Sequence, residues 1–188
     1  MSRPLILSLT IITLLLIAAS GGLAYALSLE SRNDFCASCH TQPEVTYYQR
    51  TLQATPADLT SAHVGKQVRC IDCHSGAGTL GRLDGLRQGA QDLTAYLANN
   101  YHQPAITTKP LPDANCIKCH EKIFETKSLK NHYHFYLLDW QQKEPQKAAT
   151  CVSCHTSHTQ GKSLTIKFAV DGKFNAACNA CHEFSKIR

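Results

Sequence analysis

The sequence predicts a mainly α-helical chain with much irregular structure, held on a single N-terminal transmembrane helix. Three observations carry that expectation. An uncharged apolar run opens the chain, two longer internal segments have helical periodicity or composition, and five short cysteine–histidine motifs divide the remainder into small pieces.

The first element is the anchor. Leu5 to Leu29 is a run of 25 residues without a charge, bounded by Arg3 and by Glu30, Arg32 and Asp34. As a helix it extends about 37 Å, enough for a hydrocarbon core of about 30 Å with some tilt. Ala24-Tyr25-Ala26 also fits the A-x-A site of a cleaved signal peptide. The apolar run continues past that site through Leu27 and Leu29, which favours a retained anchor. The expected division is residues 1–30 in the cytoplasmic (inner) membrane and 31–188 as a domain on its periplasmic or outer side.

Five copies of Cys-x-x-Cys-His follow: Cys36–Cys39–His40, Cys70–Cys73–His74, Cys116–Cys119–His120, Cys151–Cys154–His155 and Cys178–Cys181–His182. They use all ten cysteines and five of the ten histidines. This spacing is the attachment site of a c-type haem. Two thiols each bond one vinyl group of the porphyrin, and the adjacent imidazole ligates the iron. A structural zinc site draws four ligands from two such pairs; five pairs are an odd number, and zinc does not require the trailing histidines. Disulfides account for ten cysteines in an exported domain but not for five histidines in one register. The expectation is five covalently bound haem c groups, a multihaem cytochrome c array suited to carrying electrons. The 158 residues from 31 to 188 leave roughly 32 for each haem, so the macrocycles must supply much of the buried volume.

The net charge of +5 does not point to nucleic acid. The basic residues are scattered rather than gathered in a tract. Haem propionates are the natural partners for them.

The motifs begin at 36, 70, 116, 151 and 178. From Leu80 to Asn100, apolar residues at Leu80, Leu83, Leu86, Ala90, Leu93 and Leu97 recur near a 3.6-residue period, predicting an amphipathic helix. Its apolar stripe packs on haem faces or lies on the membrane surface. Pro104, Pro110 and Pro112 mark an extended connector, and a second helix is expected from Glu121 to Gln142, before Pro145. Leu164 to Val170 alternates apolar and other residues ahead of Asp171-Gly172, which reads as a small hairpin with a tight turn.

The face of each iron opposite its motif histidine decides the chemistry: filled, it makes a carrier; open, it admits small molecules. The one methionine is Met1, so no haem takes a thioether from within the exported domain. The remaining histidines are His63, His102, His132, His134 and His158, five for five irons. All are candidate metal ligands. His132 and His134, two residues apart, point to nearly opposite sides of a helix and serve two haems or one.

Phe35-Cys36-Ala-Ser-Cys39-His40 after the anchor, and Thr150-Cys151-Val-Ser-Cys154-His155-Thr-Ser-His158, resemble the first and last haem segments of the NapC/NirT/NrfH-type membrane-anchored multihaem cytochromes. The resemblance covers about residues 5 to 160. It implies oxidation of membrane quinol, with electrons passed to a redox partner protein. It also implies an acidic and basic pair at the quinol site, for which Asp92 and Arg87 on the amphipathic helix resemble the family's in position; Asp34 and Asp84 are further acidic candidates. Two departures stand out. The family's first haem often has a methionine where this chain has Gln42, and its usual complement is four haems. Two functions follow: a quinol dehydrogenase of the respiratory chain, or a non-catalytic electron-relay subunit of a larger membrane complex, resembling in layout the pentahaem subunit of alternative complex III.

Overall fold

Pro4 in the first turn starts α1, Arg3–Glu30, whose 28 residues extend about 42 Å. No side chain along it is buried. The hydroxyls of Thr10, Thr13 and Ser28 donate to the carbonyls of Ile6, Leu9 and Tyr25 at 2.9, 2.8 and 2.8 Å. Each returns to its own helix, as hydrocarbon surroundings require. Among the described residues α1 is the one helix long and apolar enough to cross a membrane, a candidate anchor.

The structure, a computed structural model, describes residues 2–39, 42–106, 109–160, 168–169 and 171–186. After α1 come α2 (Asn33–Cys39), α3 (Glu44–Thr51), α4 (Leu59–Val64), α5 (Cys70–His74), α6 (Gly78–Leu97) and α7 (Ala114–His120). A 3-10 helix at Glu121–Phe124 leads to α8 (His132–Lys143), α9 (Cys151–Cys154) and α10 (Asp171–Lys186). The described residues contain no strand, only an isolated bridge between His155 and Ala169. The mainly helical expectation holds.

The apolar core of the polypeptide is small. Among the described residues it consists of Leu137, Trp140, Phe168 and Ala169. Four side chains are far fewer than a domain of this length ordinarily buries.

Two expected elements differ. The segment Glu121 to Gln142 is not one helix: after the 3-10 turn the chain breaks, and Asn131 Nδ2 donates to the Ile123 and Thr126 carbonyls at 2.7 and 2.8 Å. An internal side chain holding those two carbonyls replaces the helical hydrogen bonds there. The hairpin turn expected at Asp171-Gly172 is instead the start of α10, the helix that carries the fifth motif. Residues 164–167 and 170 of that expected hairpin lie outside the described residues.

The amphipathic helix is present as α6. Its glycine side packs tightly on the loop after the second motif. Gly76 has φ +79°, and a Cβ there would meet the Gly81 carbonyl oxygen at 2.2 Å; one on Gly85 would lie 3.0 Å from the Ser75 oxygen. Only glycine permits so close an approach at Gly76. By helical rotation the leucine stripe lies on a different side. Leu80, Leu83, Leu93 and Leu97 are all exposed.

Candidate functional site

Each motif sits on a short helix or helical turn. Cys36 and Cys39 lie on α2, the second motif forms α5, the third ends α7, Cys151 and Cys154 make α9, and the fifth lies within α10. A spacing of three places both sulfurs of a motif on one helix face. His40 lies outside the described residues.

The motif helices are joined to one another through their backbones. Cys70 N–H at the start of α5 donates to Asn33 Oδ1 at 2.9 Å, and Cys151 N–H at the start of α9 donates to Asp113 Oδ1 at 2.8 Å. Asn33 and Asp113 each stand three residues before the first cysteine of a motif. The buried Asn115 donates to the Cys73 carbonyl at 2.7 Å, linking the second motif to the third. The Cys36 and Cys70 thiols lie close together, as do those of Cys116 and Cys151. Cys73 feels Cys116 and Cys154 feels Cys178, so the motifs neighbour one another in chain order. Burial raises the Cys73, Cys154 and Cys181 thiols above their ordinary value.

Four motif histidines each face one of the other histidines. Ring centres are 6.2 Å apart for His74 and His158, 6.0 Å for His120 and His63, 6.1 Å for His155 and His134, and 6.2 Å for His182 and His132. A metal–imidazole bond of about 2 Å, plus about 1.1 Å from ring nitrogen to ring centre, separates two opposed ligand rings by about 6.2 Å. The spacing is that of two axial ligands across one haem iron. His132 and His134 face two different motifs, on opposite sides of α8.

The proton positions agree with this. A ligating nitrogen must be bare, so the other must carry the proton. His63 Nδ1 is 2.8 Å from the Leu59 carbonyl and His132 Nδ1 is 2.8 Å from the Leu129 carbonyl. A carbonyl only accepts, so these nitrogens donate. His134 Nδ1 is 2.9 Å from Asn131 Oδ1, and that amide is oriented by the two bonds its nitrogen makes. His158 Nδ1 is 3.2 Å from Thr60 Oγ1, whose hydroxyl donates to the Ser157 carbonyl at 2.9 Å. In all four, Nε2 is left with its lone pair. Burial, then the neighbouring His74 ring, lowers His158 to about 4, with Asp58 opposing. Burial lowers His74 as well. Both are neutral at neutral pH, as metal ligands must be.

His158 is the most heavily supported of the four. Tyr47 stacks on it with ring centres 4.2 Å apart and 11° between planes. Arg50 donates to the His158 carbonyl at 2.7 Å and lies 3.4 Å from the fully buried carboxylate of Asp58. Tyr47, Arg50, Thr60 and Asn131 are not singled out by sequence reasoning. Only Asn131, three residues before His134, carries a local signal.

Among the described residues no group of three or more His, Cys, Asp or Glu side chains converges as a zinc site does. The residues present fit haem: paired thiols on helical turns, with opposed neutral imidazoles.

The profile of the NapC/NirT cytochrome c family, N-terminal region, matches residues 2–159. The chain belongs to this family. It therefore carries covalently bound haem c and transfers electrons. This NapC/NirT cytochrome is also 28% identical over 112 residues to cytochrome c-type protein NrfB of Haemophilus influenzae (strain ATCC 51907 / DSM 11121 / KW20 / Rd), a match covering 46% of this chain. The chain spans about half the length (50%) of that curated relative. No solved structure matches it significantly.

The acidic and basic pair implied by the resemblance does not meet. Arg87 bonds Asp84 at 2.8 Å and Gln91 at 3.0 Å. Five residues rotate a helix by about 140°, which turns Asp92 away from Arg87. Asp92 shares the side of α6 that carries Gly81 and Gly85, and is exposed. Asp34 is held below the usual carboxylate range by its hydrogen bond to Arg32, so it takes up a proton poorly.

A cavity of about 200 Å³ opens where α1 ends, lined by Leu27, Glu30 and Ser31, by Arg69, Ile71, Asp72 and Ser75 around α5, and by Arg82 of α6. Glu30 and Arg82 form an ion pair across it. Arg69 bonds Asp72 at 2.8 Å and holds that carboxyl below its ordinary value. Motif two, the end of α1 and two charged pairs meet here.

Proposed function

We propose that this chain is a membrane-anchored quinol dehydrogenase carrying five haems, one on each motif. It takes electrons from membrane quinol and relays them to a periplasmic or complex-bound redox partner. α1 is its retained anchor, and residues 31–188 form the haem domain outside the membrane. The cavity between the end of α1 and the motif-two helix carries this reading. It adjoins the end of the proposed anchor, within reach of an amphiphilic ring with a lipid tail, and its size admits a ring rather than a whole ligand.

Oxidising a quinol releases two electrons and two protons. The haem irons, when bound, accept the electrons one at a time. The protons need an acceptor at the same place. Glu30, paired with Arg82 at the cavity, is the acceptor the geometry favours for the first proton, the second passing to bulk water. Asp92, on the packed side of α6, is the rival that the family resemblance supplies, with Arg87 as its basic companion. Leu27 and Ile71 are the apolar residues in an otherwise polar lining. Neighbouring motifs in chain order supply a route from the membrane to α10, where the fifth motif extends the family's usual four.

The test uses the full chain, purified alone in detergent and mixed with a reduced quinol analogue. Reduction of the haems by the isolated chain supports the dehydrogenase. Absence of reduction, alongside rapid reduction by dithionite, assigns the chain instead to electron relay within a larger complex.

A further inference from the structure

Four of the five histidines outside the motifs face a motif histidine. The fifth, His102, faces no other described imidazole, and its chain position decides where it goes. α6 ends at Leu97; Asn99, two residues on, takes left-handed backbone with φ 51°, and Asn100 N–H closes the turn on the Ala95 carbonyl at 2.9 Å. Tyr101 folds back beside Tyr96, ring centres 5.6 Å apart. The chain then returns to the first motif: Ala105 N–H donates to the Gln42 carbonyl at 2.9 Å.

That bond is a tether between two ligand-bearing segments. Gln42 stands two residues after His40, and Ala105 stands three after His102. Two and three residues of chain extend at most about 7 and about 11 Å, so His102 cannot leave the neighbourhood of the first motif. Other thioether and imidazole donors are absent or stand elsewhere. The only methionine is Met1, before the anchor. The Gln42 side-chain oxygen accepts from Thr46 Oγ1 at 2.9 Å. His63, His132, His134 and His158 already stand opposite other motifs.

We propose that His102 is the distal ligand of the haem on motif one. The first iron is then closed on both sides by imidazole, where the family often has a methionine in the position of Gln42. Electrons reach this haem through the porphyrin edge, and the iron has no open position for a small molecule. The inference rests on the haem reading and is independent of the quinol assay.

The test is spectroscopic and uses the full-length protein with all haems attached. The oxidised protein is expected to show only low-spin iron, and the reduced protein to form no carbon monoxide adduct. In His102→Ala, intact mass should still count five haems, while one iron in five becomes high-spin and binds carbon monoxide. Added imidazole should restore the low-spin state. In a four-haem background lacking the first haem (Cys36→Ala with Cys39→Ala), His102→Ala should create no further high-spin iron. A wild-type protein with one carbon monoxide-binding iron that His102→Ala leaves unchanged overturns the proposal. A new high-spin iron in the four-haem background overturns the assignment to the first haem.

Discussion

Asn33 Oδ1 accepts the Cys70 N–H at 2.9 Å, and Asp113 Oδ1 accepts the Cys151 N–H at 2.8 Å. The same device appears twice: a residue three before one motif caps the helix of the next. Motifs one and two therefore form one unit, and motifs three and four a second with the same internal bond. Asn115 joins them through Cys73. Chain order, local capping and the expected route of charge coincide.

Removing these caps should cost stability without losing cofactor. Asn33→Ala and Asp113→Ala are each expected to destabilise by about 1 kcal/mol, the usual worth of a helix cap. Asp113→Ala should be the more damaging, because its second oxygen also accepts from Gln141 at 2.6 Å. Thermal melts of the holoprotein, with intact mass confirming unchanged haem content, measure the difference. Equal stability of both variants to wild type contradicts the paired-unit description.

The Thr60–His158 bond gives a redox prediction. Thr60→Val removes the acceptor of the Nδ1 proton, making the imidazole a weaker donor to iron. Loss of such an outer partner typically weakens metal binding on the order of tenfold. One haem of the array should shift to higher potential in a redox titration, while the others hold their values. Thr60→Ser, which keeps the hydroxyl, should leave the curve in place.

The cavity and α6 make separable predictions about quinol. Glu30→Gln should slow haem reduction by a quinol analogue about a hundredfold or more, within the usual range for losing a general base. Reduction by dithionite should be unaffected. Asp92→Asn should change little if Glu30 is the acceptor. The reverse pattern transfers the role to Asp92.

The small polypeptide core predicts dependence on haem. Expressed without the cytochrome maturation apparatus, residues 31–188 should lack the helical circular dichroism of the holoprotein and be digested rapidly by protease. Folding coupled to a bound group is the general expectation when a chain's own core is insufficient. A cooperative thermal transition in haem-free protein would contradict it.

Much of the architecture was legible because its signals are local. The anchor shows in an uninterrupted apolar run, and α6 in leucines at helical spacing. Expectations failed where a distant or unexpected contact outweighed a local pattern. Asn131 reaches back to Ile123 and Thr126 and breaks a segment whose composition favours continuous helix. Asp171-Gly172 has the composition of a tight turn, yet begins the α10 helix.

The sequence by itself determined where cofactor is tethered, because two thiols and a histidine within five residues act as one local unit whatever surrounds them. It also supplied five further histidines as candidate ligands. Only the tertiary structure decided which of them faces which motif. His158 crosses to His74 from 84 residues along the chain, and His63 to His120 from 57. Such pairings depend on where helices pack and on backbone carbonyls and hydroxyls that fix each Nδ1 proton. Those partners leave no mark in the motif itself.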